Sequence, residues 1–180
     1  MGIFLSVWFY CNVAGPPEDV PYVKINSASV FEAFAVGKPR QTATWKVPPS
    51  VRVCTDSGVS VARTRRALSY WEKNGYTFGI VRGDPFSMCM TPKHGEIVVT
   101  LPESGFGGEH MASTRLYTDI STGEIVRAKI HMLPKNASKE RVLEHEIGHA
   151  LGWAHYKQRY HIMHPEWRHG GYDSYGIRKR

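Results

Sequence analysis

The stretch HEIGHALGWAH, residues 145–155, carries most of what the sequence indicates about structure and function. Residues four apart lie on one face of an α-helix, so the side chains of His145 and His149 can reach the same point in space. Gly152 comes three residues later, where a positive φ angle ends a helix at little cost for glycine. His155 can then return from beyond the turn as a third imidazole. The pattern predicts a helix that leads into a metal site with three histidine ligands.

Glu146 lies next to the first of these histidines. A catalytic zinc site takes three protein ligands and leaves one position to water. A neighbouring carboxylate can accept the proton of that water while the metal polarises the carbonyl under attack. The sequence therefore predicts one catalytic Zn²⁺ and hydrolysis of an amide bond with Glu146 as general base. The alternative is a set of surface histidines on an ordinary helix, but a random sequence of this length would match all five fixed positions with a probability of about 10⁻⁴ or less.

The motif resembles the sequence H-E-x-x-H-x-x-G-x-x-H of the metzincins, zinc endopeptidases in which a Met-turn follows. A segment similar to the Met-turn is present as YHIMHP, with Met163 eight residues after His155 and Pro165 two further on. This interval is similar to that of the matrixins. The resemblance implies a zinc endopeptidase in which the methionine forms an apolar floor under the metal. It also implies that Gly152, Met163 and Pro165 are structural residues near the site.

The chain departs from the matrixin pattern at several positions. Matrixins usually place serine after the third histidine, where this chain has Tyr156. Their structural zinc and calcium ligands precede the edge strand, and the corresponding residues 102–114 lack such a set, so we expect a single zinc ion. YDSYGIR, residues 172–178, is similar to the start of the family's C-terminal helix, with Asp173 as its cap. The sequence beyond it leaves room for only a stub of that helix.

The rest of the chain favours an α+β fold. We expect a twisted mixed sheet of about five strands with two main helices, similar to the metzincin fold, and an active-site cleft above a short irregular C-terminal subdomain. The segments with strand-like patterns are residues 50–54, 76–83, 95–102, 112–119 and 124–133, the last two forming a hairpin. Those with helical spacing are residues 59–75 and 136–153, the second with Ser138 as N-cap. We expect residues 112–119 to form an edge strand that binds an extended peptide by adding it to the sheet.

Residues 1–44 are interpreted as a leader, and residues 45–180 as the catalytic domain. The apolar run in residues 1–15 is too short to span a bilayer and lacks a positive flank, so a signal peptide and a strand packed on the domain both stay open. The resemblance adds a third interpretation, a pro-segment that covers the cleft of a zymogen. Cys11 has a faint likeness to the family's latency cysteine. At most one disulfide can form among Cys11, Cys54 and Cys89, and we expect Cys11 and Cys89 to be plain thiols.

Composition limits the class of protein. With 180 residues, 42% of them hydrophobic and 22% charged, the chain fits one globular domain. The net charge of +7 comes from scattered residues, so we expect no specific nucleic-acid partner. We also expect no membrane span, a protein or peptide substrate and, by assumption, a monomer. A proteinase would damage a cytoplasm, which favours secretion or packaging in an extracellular particle.

Aromatic and histidine residues around the Met-turn complete the candidate site. Four residues could belong either to the substrate pocket or to the core of the small subdomain: Tyr156, Tyr160, His164 and Trp167. An alternative function is a zinc-bearing structural or surface-binding module with a vestigial catalytic site. A closed site with a fourth protein ligand, His161 or His164, would favour that alternative.

Overall fold

The structure is a computed structural model that describes residues 4–12, as backbone only, and residues 37–89, 91–102 and 110–179. Seven strands are assigned there: β1 Phe4–Asn12, β2 Thr44–Trp45, β3 Ser50–Cys54, β4 Val81–Asp84, β5 Glu96–Thr100, β6 His110–Asp119 and β7 Glu124–Met132. The two α-helices are α1 Val61–Glu72 and α2 Val142–Ala150. No helix within these ranges is long and apolar enough to cross a membrane.

One sheet contains all seven strands. Six of them lie in the order β1-β6-β7-β5-β3-β4, and the short β2 pairs with the start of β7. The pairings among β3, β4, β5 and β7 are parallel, whereas β6 is antiparallel to both of its neighbours. The prediction of an α+β fold with a mixed sheet and two helices is confirmed, with more strands than expected.

The edge of the sheet differs from the expectation. Residues 112–119 belong to β6, which has β7 on one side and β1 on the other. The pairing of β1 with β6 runs from Phe4 opposite Asp119 to Asn12 opposite His110, with a register shift between Tyr10 and Asn12. The prediction of an edge strand there is wrong because the apolar N-terminal run, whose structure the sequence left open, is the outermost strand.

Helix α1 positions α2 through buried polar contacts. The side chain of Ser60 caps α1 by accepting a hydrogen bond from the Arg63 N–H at 3.0 Å. The Arg63 guanidinium donates to both carboxylate oxygens of Glu144, at 2.8 and 2.6 Å. The indole N–H of Trp71 donates to the Glu144 carbonyl at 2.8 Å. Because Glu144 directly precedes the histidine motif, these bonds fix the position of the motif helix against α1.

Helix α2 begins later than predicted. Ser138 does not cap it, and the residue before its first turn is Arg141, in the left-handed conformation with φ of 69°. The Arg141 guanidinium donates to the carbonyl oxygens of Trp167 and Gly170. Tertiary bonds of this kind favour the unusual backbone at Arg141, and local sequence preference for a serine cap does not reveal them.

The expectation that Cys89 is a plain thiol is wrong. Cys54 and Cys89 form a disulfide, with their Cα atoms 5.8 Å apart, so Cys89 is not a free thiol. The parallel pairing of β3 with β4 brings these cysteines together, although 35 positions separate them in sequence. The Cys11 side chain lies outside the described part of the structure.

Residues 172–178 form turns rather than a helix. Asp173 accepts a hydrogen bond from the Tyr175 N–H at 3.1 Å, which closes a turn around the residue expected to cap a helix. Ile177 is fully buried, and its carbonyl accepts a hydrogen bond from the Tyr76 hydroxyl at 3.2 Å. Burial of Ile177 and the hydrogen bond from Tyr76 hold this segment in a non-helical path.

Candidate metal centre

The end of helix α2 directs the chain back towards its own histidines. Gly152 has φ of 91°, its N–H donates to the His149 carbonyl at 2.8 Å, and the Trp153 N–H donates to the Gly148 carbonyl at 3.0 Å. This pair of bonds is the Schellman motif, which requires a left-handed residue. The carbonyl of Ala43 also lies where a Cβ atom of residue 152 would project. Glycine is therefore required at this position for both conformational and steric reasons.

Three histidines converge beyond this turn. The Nε2 atom of His149 lies 2.9 Å from that of His145 and 3.1 Å from that of His155. Two imidazole ligands of a tetrahedral metal with bonds of 2.0–2.1 Å are about 3.3 Å apart. Among the described residues, these three form the group of His, Cys, Asp or Glu side chains that could hold a metal ion.

Hydrogen bonds at the far side of two rings set their tautomers. The Nδ1–H of His145 donates to the Ile162 carbonyl at 2.7 Å, and that of His149 donates to the Trp153 carbonyl at 2.7 Å. A neutral imidazole that donates through Nδ1 presents a lone pair at Nε2. The lone pairs of His145 and His149 thus face each other at 2.9 Å, an arrangement that needs a cation between them.

A proton is a poor candidate for that cation. Burial lowers the pKa of His145 to about 4 and lowers the pKa values of His149 and His155 well below the ordinary value, and repulsion from neighbouring histidines adds to the effect. Desolvation disfavours a positive imidazolium, whereas a metal ion can use neutral nitrogen ligands. The residues therefore fit a metal ion.

Glu146 is fully buried beside this cluster. Its Oε2 accepts a hydrogen bond of 2.6 Å from the Thr114 hydroxyl, and its Oε1 has no hydrogen-bond partner among the described residues. Burial raises the pKa of Glu146 to about 8, and the bond from Thr114 opposes that rise. A nearby cation would favour the ionised carboxylate. One carboxylate oxygen is thus held in place, and the other makes no hydrogen bond within the described part of the chain.

The segment predicted as a Met-turn packs under helix α2. Met163 is fully buried, and its side chain fills the space that a Cβ atom at Gly148 would occupy. Gly148 lies between the two helical histidines in sequence. The N–H of Met163 donates to Nδ1 of His161 at 3.0 Å, and its carbonyl accepts a bond from the Tyr156 N–H at 2.9 Å. Pro165 is partly buried at the end of this segment. The turn therefore supports both the helix and the chain that follows His155.

A small cavity lies behind His145. The residues that line it are Arg141, Val142, His145, Ile162, His164, Trp167, Gly170 and Gly171. Of the four residues predicted for a pocket, it includes His164 and Trp167. The Tyr156 hydroxyl instead donates to the Gly37 carbonyl at 2.7 Å, and Tyr160 is exposed. A role for any of them in substrate binding stays a prediction.

Neither histidine considered as a fourth ligand belongs to the cluster. His161 uses both ring nitrogens for other contacts, because its Nε2–H donates to the Tyr175 carbonyl at 3.1 Å. His164 contacts the backbone of Glu166 through Nδ1, which accepts a hydrogen bond of 3.0 Å from that residue's N–H. The described part of the chain therefore offers three protein ligands at this centre.

Sequence reasoning missed two residues next to the site, Thr114 and Arg141. Nothing in the strand pattern of residues 112–119 distinguishes Thr114 from its neighbours. Arg141 precedes His145 by four positions, and this spacing could have indicated that it lies one turn before the first ligand.

Comparisons with protein-family models, with curated proteins and with solved structures found no match to this chain.

Proposed function

We propose that the chain is a zinc-dependent endopeptidase of the metzincin type, similar to matrixins, that hydrolyses extended protein substrates. The observation that carries the proposal is the convergence of three Nε2 atoms, with a buried carboxylate on the residue after the first histidine whose Oε1 has no hydrogen-bond partner among the described residues. Zn²⁺ held by His145, His149 and His155 would polarise the scissile carbonyl and lower the pKa of a bound water. Three nitrogen ligands and an open position are typical of catalytic zinc, whereas structural sites are closed by four ligands.

The protein's own groups have distinct roles in this proposal. Glu146 accepts the proton of the attacking water at Oε1 and later delivers it to the leaving amine. Thr114 holds Oε2 in place, so the free oxygen keeps one orientation during the transfer. The carbonyls of Ile162 and Trp153 keep the imidazoles in the tautomer that ligates a metal through Nε2.

One feature supports an oxidising compartment. The Cys54–Cys89 disulfide favours an extracellular or otherwise oxidising location. We therefore keep the proposal of a secreted or particle-packaged enzyme, with residues 45–180 as its catalytic domain and residues 1–44 as a leader.

The test is cleavage of an unfolded protein and a mixed peptide pool by the zinc-loaded full chain. Glu146→Gln keeps the size of the side chain and the three histidines, so it should bind one zinc per chain and lose most turnover, a factor of about 10² to 10⁴. Treatment with a chelator should also abolish cleavage, and zinc should restore it. One bound zinc per chain with no cleavage of either substrate would overturn the proposal in favour of a structural zinc module.

A further inference from the structure

Strand β4 forms the end of the sheet opposite to β1. It spans Val81–Asp84 and pairs with β3 in the parallel direction. The Val51 N–H of β3 donates to the Ile80 carbonyl at 2.8 Å, so the even-numbered residues of β4 direct their backbone groups to β3, whereas Val81 and Gly83 direct theirs away from it. Within the described ranges, no strand pairs with this outer side. Strand β4 therefore presents an open edge.

The sequence along this edge is self-complementary. The stretch IVRGDPF starts at Ile80 and has Gly83 at its centre. If Gly83 pairs with Gly83 of a second copy in the antiparallel direction, Arg82 lies opposite Asp84 of that copy. The same register places Ile80 opposite Phe86. One arrangement thus joins opposite charges and apolar side chains, and two-fold symmetry repeats both contacts.

The side chains of this stretch are accessible. The exposed fractions of Ile80 and Phe86 are 71% and 42%, and that of the Arg82 side chain is 49%. Arg82 donates through Nε to Asp84 at 3.0 Å and through Nη2 to Glu96 at 3.4 Å, and its Nη1 bonds no described residue. Nη1 could therefore bond Asp84 of a second copy while the pairs within the chain are kept.

The outward backbone groups fit the same register. Gly83 would exchange two hydrogen bonds with its counterpart, and the Val81 N–H would donate to the Pro85 carbonyl of the second copy. Pro85 has no N–H to return to the Val81 carbonyl. That carbonyl already accepts a hydrogen bond of 3.3 Å from the Arg65 guanidinium of helix α1. The missing donor therefore leaves no carbonyl unsatisfied.

We propose that two copies of the chain associate through their β4 edges, as an antiparallel pair with Gly83 at the two-fold axis. This inference goes beyond the proposed function and does not depend on it, and it replaces the monomer assumed from the sequence. The dimer continues one sheet across both chains. It keeps β6, the strand that contacts Glu146, away from the junction.

Protection of a monomer is the alternative explanation of this edge. Short edge strands with charges and proline prevent pairing in many proteins. Protection requires neither matching signs across a two-fold axis nor exposed apolar side chains at the positions that would meet. Arg82 with Asp84 and Ile80 with Phe86 meet both conditions in a single register, which favours association.

The experiment measures the mass of the full chain by sedimentation equilibrium over a range of concentrations. All forms carry Glu146→Gln, so the proposed activity cannot digest them. Because the paired segment is short, this parent chain should form a dimer that dissociates on dilution. Arg82→Glu places like charges opposite each other twice and should raise the dimer Kd about tenfold or more. Arg168→Glu, which also removes an exposed arginine–carboxylate pair, is the matched control and should keep the parent Kd.

A mixing test examines the register. Asp84→Lys should also associate poorly with itself, because Arg82 then faces lysine. Fluorescently labelled Asp84→Lys should bind unlabelled Arg82→Glu about tenfold or more tightly than it binds Arg168→Glu, since both charge pairs are complementary only in the first mixture. The two unlabelled partners have the same net charge, and a folding defect would not be rescued by mixing.

Ile80→Ser is a second variant that leaves the charges in place. Its side chain is exposed, so the fold should not change, and the dimer Kd should rise about tenfold because an apolar contact is lost twice. A parent chain that stays monomeric at every concentration would overturn the inference. A dimer that Arg82→Glu does not weaken, or labelled Asp84→Lys without preference for Arg82→Glu, would also overturn it.

Discussion

The hydroxyl of Thr114 lies 2.6 Å from Oε2 of Glu146 and 3.1 Å from the main-chain carbonyl oxygen of the same residue. This contact connects strand β6 to helix α2 at the proposed general base. A buried carboxylate without such a donor would be free to rotate and would be poorly solvated. In the proposed reaction Thr114 would therefore act through Glu146, as a positioning residue.

Thr114→Val tests this role because valine keeps the shape of threonine and removes the hydroxyl. We expect kcat to fall about ten- to a hundredfold, less than the loss caused by removing the base itself. Since the Thr114 bond lowers the pKa of Glu146, its loss should also move the acidic limb of the pH–rate profile upward. Zinc content should stay at one per chain.

Thr114→Ser is the control, because it retains the donor and should preserve most of kcat and the wild-type pH profile. An unchanged kcat in Thr114→Val would show that Glu146 needs no support from β6. Loss of zinc in that variant would instead indicate a general defect of the site rather than a positioning role.

Acidification should destabilise the metal-free protein below about pH 6.5. The pKa of His145 is lowered to about 4 on folding, and the pKa values of His149 and His155 are lowered as well, so between pH 4.5 and 6.5 the unfolded chain binds more protons at these three residues. The raised pKa of Glu146, about 8, acts in the opposite direction but involves one proton. The histidines outnumber it, so the free energy of unfolding should decrease as the pH falls.

Urea unfolding of the chelated protein at pH 7.0 and 5.5 measures this effect. Glu146→Gln removes the opposing group. The free energy of unfolding of this variant should therefore be higher than that of the wild type at pH 7.0, and it should decrease more steeply between pH 7.0 and 5.5. A wild-type stability that rises on acidification would contradict the assignment of buried, neutral histidines.

The absence of a Cβ atom at Gly148 allows the segment around Met163 to pack against helix α2. A Cβ atom at this position would lie 2.6 Å from Cζ2 of Trp71 and even closer to the sulfur of Met163. Gly148→Ala should therefore cost about 1–3 kcal/mol of unfolding free energy through overpacking, although alanine has the higher helix propensity. Gly170→Ala is a suitable comparison, because its Cβ would meet no atom closer than 3.5 Å.

Met163→Ala in the Gly148→Ala background tests whether the clash is with the methionine. It should recover part of the lost stability, which a double-mutant cycle would measure as a coupling between the two sites. Strictly additive effects on the free energy of unfolding would show that the contact with Met163 is not the reason that position 148 requires glycine.

The sequence predicted the cluster of three histidines better than it predicted the strand order, the disulfide and the start of helix α2. The i, i+4 spacing of His145 and His149 and the left-handed turn at Gly152 depend on local helix geometry, which a short motif specifies. The outer position of β1 and the Cys54–Cys89 disulfide depend on strand pairing between distant segments. The late start of α2 depends on carbonyls that Arg141 reaches from more than 25 residues away. Local patterns do not encode such contacts, so they had to come from the structure.

His161 should affect metal binding without being a ligand. Its Nδ1 accepts the Met163 N–H and its Nε2–H donates to the Tyr175 carbonyl, so it fixes the turn whose neighbouring Ile162 carbonyl orients His145. His161→Phe fills similar space but cannot make either bond. We expect about a 10- to 100-fold loss of zinc affinity, the usual effect of losing support behind the ligands.

The absorption spectrum of the Co²⁺-substituted protein distinguishes support from ligation. If His161 only supports the turn, the spectrum of His161→Phe should keep the band pattern of the wild type, because the same three nitrogens bind the metal. His149→Phe is the comparison in which a ligand is lost and the bands should change. A change of the same kind in His161→Phe would mean that His161 reaches the metal when it is bound, and the open fourth position on which the endopeptidase proposal depends would then be closed.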